Sequence, residues 1–189
     1  VLVSRRATRG GTEIFVHCRD IPHLFASVAA ELDQKNLNIH DAQIMSSRDG
    51  FVLDTFVVLD HEGEPLSPER GVLLQQTLAT KLHVAAPIDI KQRRIPRQVQ
   101  QFSIKPRVSF LPTKGKRTLI EVVALDKPGL LARISAVFQS FNYAIHAAKV
   151  TTIGEKAEDF FSISNCEREK LSPEQKQQLK QILEQALKQ

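Results

Sequence analysis

Apolar positions along this chain switch repeatedly between a period of two and a period near four. Over Thr12–Cys18 they alternate, with Ile14 and Val16 on one face, as in a half-buried strand. Pro22 then opens a helix, where its missing N–H costs nothing. Leu24, Phe25, Val28, Ala29 and Leu32 make one apolar stripe, continuing to Lys35. Asn36 ends the helix, because Asn tolerates the left-handed backbone of a helix C-terminus. Leu37–Ser46 reads as a second strand, Arg48-Asp49-Gly50 as a hairpin turn, and Phe51–Leu59 as a β-rich third strand. Ser67-Pro68 supplies a cap and a first-turn proline for a second helix running to about Leu82. Ile88–Ile90 offers a last short strand. The order is β-α-β-β-α-β, the ferredoxin-like arrangement.

The pattern then returns. Asp20-Ile21-Pro22-His23-Leu24-Phe25-Ala26 recurs as Asp126-Lys127-Pro128-Gly129-Leu130-Leu131-Ala132, and Thr12, Ile14, Val16, Asn36, Ile39, His40 and Ala42 recur 106 positions later. Asp54, Phe56 and Leu66-Ser67-Pro68-Glu69 recur 105 positions later, which places a single deletion before Asp159. The expected fold is therefore α+β: two ferredoxin-like βαββαβ modules in tandem, each an antiparallel sheet with helices on one face. The second module has Gln175 placed for a capping box after Ser172-Pro173, and no sequence left for a strand after its last helix. Each copy follows an extended run, Val1-Leu2-Val3 or Val108-Ser109-Phe110. The expectation is that Val108–Leu111 fills the edge slot of the missing strand. The expected organisation is a first module with its preceding strand at 1–92, a basic Pro-containing connector at 93–106, and a second module with its preceding strand at 107–189.

Composition changes this picture little, and charge changes it more. The chain is 189 residues long with 42% hydrophobic residues, and no apolar run approaches a membrane span. A strand-like start at Val1, with no signal peptide, reads as a piece of a longer polypeptide. Nine basic residues and no acidic ones lie between Lys91 and Arg117, leaving 17 of the 26 basic residues against all 21 acidic ones elsewhere. The modules are mildly acidic and the connection between them is basic. Pro96, Pro106 and Pro112 argue against a helix there. Cys18 and Cys166 occupy non-equivalent positions, which is neither a disulfide framework nor a zinc site. The expectation is two buried or half-buried thiols in a reducing compartment, hence a cytoplasmic protein.

No paired carboxylates with transferase spacing, Gly-rich phosphate loop or His-Asp cluster points to catalysis or a resident metal. Asp54 and Asp159 are equivalent residues of separate copies and read as strand-surface acids. The candidate chemistry lies at Asp126-Lys127-Pro128-Gly129. A helix N-terminus offers free N–H groups to a carboxylate, Gly129 permits close approach, and Asp126 could take an ammonium group. The plainer alternative is a turn and helix start, with Asp126 as a cap. Asn36 and Asn142 are explained by the left-handed residue that ends a helix, and His40 and His146 by a structural or surface role on a strand.

The run D-x-P-G-L-[LF]-A between strand and amphipathic helix, followed by Asn-x-x-Ile and a strand hairpin, resembles the ACT domain, a small ferredoxin-like module that binds amino acids and regulates attached enzymes. The ordered pair resembles more specifically the C-terminal regulatory region of bacterial bifunctional uridylyltransferase/uridylyl-removing enzymes, which modify the PII nitrogen-signal protein. The resemblance implies glutamine as effector, upstream catalytic domains of the same polypeptide, and PII as substrate of the parent. It places any Mg and UTP in those domains and no cofactor in this chain. It also implies a ligand site between modules. Asp126, Lys127, Pro128, Gly129 and Leu130 of one would face Asn38 of the other. A weaker, pseudo-symmetric site would use Asp20, Pro22, His23 and Asn142, with His23 in place of Gly and Ala144 in place of Asn.

Two other readings share the fold order. A pure dimerisation or scaffold module needs no ligand. An RNA-binding module would use the basic connector, but one Tyr, no Trp and an Asp in the third strand leave little for base stacking. The expectation is no nucleic-acid and no membrane partner, with a homodimer through the modules as one form of assembly.

Overall fold

The computed structural model describes residues 1–4, 10–21, 23–47, 49–82 and 104–188. In chain order the elements are β1 (Leu2–Val3), β2 (Thr12–Arg19), α1 (Leu24–Gln34), β3 (Asn38–Ser46), β4 (Phe51–Leu59) and α2 (Pro68–Lys81). The second copy follows as β5 (Arg107–Leu111), β6 (Thr118–Leu125), α3 (Leu130–Ser140), β7 (Ala144–Ile153), β8 (Lys156–Ser164) and α4 (Pro173–Ala186). The eight described strands join one antiparallel sheet in the order β1-β2-β4-β3-β7-β8-β6-β5. The centre of that order is a junction between modules: Asp41 lies opposite Thr151, Ala42 opposite Val150 and Gln43 opposite Lys149. The second copy is thus a pseudo-symmetric partner of the first.

Strand β5 fills the edge slot beside β6, with Val108 opposite Val122 and Leu111 opposite Leu119, as its extended sequence led one to expect. Strand β1 takes the corresponding slot beside β2, with Leu2 opposite Phe15. In the described residues each module therefore runs β-β-α-β-β-α, with its preceding strand at the sheet edge. The expected strand at Ile88–Ile90, the turn residue Arg48 and most of the basic connector lie outside the described residues.

Local chemistry sets the helix ends. The Ser67 hydroxyl accepts from the Arg70 N–H, and Ser172 and Gln175 form a full capping box. Asn36 (φ 60) and Asn142 (φ 54) are left-handed, as a helix stop requires. The caps of α1 and α3 are His23 (φ 61) and Gly129 (φ 77), both left-handed and without a side-chain cap bond. Gly129, not Asp126, therefore holds the cap position of α3.

Helix α1 packs on α3, so one core runs under both modules. The Phe25 ring lies 5.8 Å from Phe56 in its own module and 6.3 Å from Phe161 in the other, and Phe161 meets Phe138 edge-on at 5.2 Å. Two expectations are corrected here. Asp54 and Asp159 are not surface acids: each keeps only 1% of its surface, because the inward face of β4 and β8 lies under the helices. Cys18 is partly buried as expected, but Cys166 is exposed. No described helix is long and apolar enough to cross a membrane, and no described group of acids, His and Cys could hold a metal ion.

Candidate functional site

Pairing β3 with β7 and packing α1 on α3 brings the strand-to-helix loop of each module against the other module's helix end and following strand. Two pseudo-equivalent crevices result. The first is lined by Asp126, Lys127, Pro128, Gly129 and Leu130, facing Ala29, Asp33 and Asn38. The second is lined by Asp20, Ile21, His23 and Leu24, facing Ser135, Gln139 and Ala144. Every residue assigned to the first site from sequence is thus brought together. Of those assigned to the second, Asp20, His23 and Asn142 line one crevice, and Pro22 lies outside the described residues.

The two crevices differ greatly in size. The first encloses about 30 Å³, room for about one water. Its Asp126 carboxyl is raised above the usual range by burial, while the Thr152 hydroxyl and His40 pull it back. The Asp126 N–H donates to the Glu155 carbonyl at 2.8 Å, holding the loop on the β7–β8 turn. Asp33 lines the crevice, is 5% exposed, and has its Oδ2 3.3 Å from where a Cβ on Gly129 would stand. Glycine at 129 thus serves both the left-handed backbone and the nearness of this carboxylate.

The second crevice encloses about 640 Å³, within the usual range for small-molecule sites. The Asp20 N–H donates to the Gly50 carbonyl at 2.8 Å, fixing the loop as its counterpart is fixed. Asp54 faces this space with one oxygen lacking a hydrogen-bond partner, and its carboxyl is pushed up to about 7 by burial and by the nearby Asp20 charge. Ser135 Oγ, on a residue 1% exposed, also has no partner. His146 Nε2 lies 2.8 Å from Ser164 Oγ. Burial holds the His146 pKa below its usual value; Arg117 and Arg168 push the same way and Asp20 opposes them. Two guanidiniums, one loop acid and one buried acid therefore share this space, beside the first-turn amides of α1.

Asp33, Ser135, Arg117 and Arg168 were absent from the sequence assignment, and Asp54 was read as surface. One signal was available. Ala29 and Asp33, like Ser135 and Gln139, are four residues apart and so share a helix face; polar groups on a face turned toward the partner module mark a lined cavity.

Fold and site together define a fused pair of ferredoxin-like modules with two unequal crevices between them. Residues 12–67 and 118–184 match the ACT domain, and the chain belongs to that family. Among curated proteins it is 53% identical over 184 residues to the bifunctional uridylyltransferase/uridylyl-removing enzyme of Vibrio cholerae, covering 97% of this chain and 21% of that protein. It is 52% identical over 185 residues to the protein of the same name from Aliivibrio fischeri, with the same coverage. The chain thus spans about a fifth of the length of the relatives it matches. A crystal structure of aspartate kinase from Synechocystis aligns with 94% of this chain and 27% of its own, at a TM-score of 0.50 and 14% identity, a likeness of fold.

Proposed function

We propose that this chain is the amino-acid-sensing regulatory region of a bifunctional uridylyltransferase/uridylyl-removing enzyme, with glutamine as its effector. The observation that carries the reading is the roomy crevice, where unpartnered buried polar atoms stand beside a helix N-terminus. A free amino acid has the complementary groups. Its ammonium fits between Asp20 and Asp54, and its carboxylate fits the first-turn amides of α1, with Arg117 and Arg168 adding positive potential. Ser135 Oγ and the amides of Gln139 and Asn142 remain for a polar side chain. The names of the relatives support the parent enzyme, and the family resemblance supports glutamine.

The sequence favoured the crevice at Gly129 and Asn38 as the stronger site. Cavity volume favours the one at His23 and Ser135, and the proposal places the ligand there. A ligand in it touches both modules and so stabilises one arrangement of the pair. Coupling of about 1–3 kcal/mol to attached domains is the usual scale of such control. Millimolar sensing needs only about −4 kcal/mol of binding. In this reading the catalytic domains, their Mg and UTP and the PII substrate belong to the rest of a cytoplasmic polypeptide. A scaffold role would not call for a lined crevice with unpartnered polar atoms.

The test is the glutamine response of the full-length parent. Ser135→Val and Asp54→Asn are expected to blunt the shift between uridylylation and uridylyl removal. An undiminished response in both variants refutes the placement.

A further inference from the structure

We infer that Asp33 is a built-in substitute for a ligand carboxylate. It seats its own carboxyl at the N-terminus of α3, closes the smaller crevice from within, and leaves the pair of modules with one open site. The inference deepens the amino-acid-binding reading and rests on it only for the number of ligands bound.

Three observations converge on Asp33. First, its position in its own helix is unfavourable. It stands in the last turn of α1, where the macrodipole is negative and no basic residue is present. Second, it is 5% exposed, so its charge needs a positive environment close by. Third, its carboxyl carbon and both oxygens lie 3.3–3.6 Å from the Cβ position of Gly129, the cap residue of α3. The positive end of α3, with the N–H groups that helix geometry leaves unpaired, supplies that environment. Lys127 lines the same crevice.

The other crevice is the internal control. Its residue equivalent to Asp33 is Gln139, which is neutral and only half-buried. There the space is about 640 Å³ rather than about 30 Å³. Two buried polar atoms, Ser135 Oγ and Asp54 Oδ1, stand in it without partners. The same module thus appears in two forms: one whose anion position is filled by its neighbour's side chain, and one whose anion position is open.

The experiment uses this chain with sodium formate as probe, against sodium chloride at equal ionic strength. In Asp33→Ala, formate is expected to raise the melting temperature saturably, because it replaces the deleted carboxylate. The wild type, which can take formate at the open crevice alone, should respond less. Equal responses in the two proteins, or none in either, overturn the inference. Asp33→Ser provides the same readout if the Ala variant does not fold. The converse variant, Gln139→Asp, moves the acid into the open crevice. Glutamine affinity there is expected to fall at least about tenfold, since two carboxylates would compete for one helix end. Undiminished affinity, or two glutamines bound by the wild type, overturns the inference. If no variant and no wild type binds any amino acid, the sensing reading fails, while the formate response still decides the role of Asp33.

Discussion

Asp159→Asn should make the stability of this protein markedly less sensitive to pH. Asp159 sits on β8 with 1% of its surface exposed, and neither carboxyl oxygen accepts a hydrogen bond of normal geometry. Burial pushes its pKa from the ordinary 3.8 up to about 8; the Thr151 backbone draws it down a little and the Asp126 charge adds to the rise. Because the folded pKa is the higher one, the folded protein keeps this proton where the unfolded chain has released it. The stability this contributes is full below about pH 4 and is lost as pH rises toward 8. At about 1.4 kcal/mol per pKa unit the complete loss is about 6 kcal/mol, of which about 3–4 falls between pH 5 and 8. Asparagine resembles the protonated acid in shape and does not titrate. Urea unfolding of both proteins at pH 5 and pH 8 is the assay. The wild type should lose several kcal/mol more than the variant over that interval. Parallel losses would show that the carboxyl is solvated in the folded state and would refute the reasoning.

Three further outcomes follow from the same structure. Glutamine affinity should rise from pH 6 to pH 8, because Asp54, held protonated up to about 7, must ionise to pair with an ammonium; calorimetry in buffers of different ionisation enthalpy should detect the released proton, and Asp54→Asn should abolish the release. Phe161→Ala should cost about 3–5 kcal/mol, and because the ring touches both Phe138 and Phe25 the two modules should still melt as one transition at lower temperature. Ser172→Ala should cost about 1 kcal/mol through loss of its capping box with Gln175, measured by denaturant unfolding.

Most of the fold was legible because each element carries its own local signal. Ser67-Pro68 and Ser172-Pro173 mark helix starts by chemistry that acts within one turn. Asn36 and Asn142 mark helix ends by tolerating a backbone that other side chains avoid. The internal repeat then did what no single segment could, fixing the register of the second copy on the first. What escaped were properties set across the junction of modules. Alternation along β8 places Asp159 on the same face as Phe161, but its acid character argued for the surface, and only the packed helices show that it is enclosed. The candidate loops were found because Asp126-Lys127-Pro128-Gly129 is a local signature. The contrast in volume was not, because Asp33 and Gln139 line crevices whose loops lie about a hundred residues away in sequence, across the contact between α1 and α3.

The central claim is that the crevice between the α1 loop and α3 holds a free amino acid. Calorimetric titration of this chain with glutamine, with glutamate and formate as controls, tests it most directly. The account predicts one saturable glutamine site that weakens in Ser135→Val and in Asp54→Asn. No saturable heat with any amino acid, or a site that Asn38→Ala abolishes and Ser135→Val spares, would contradict it.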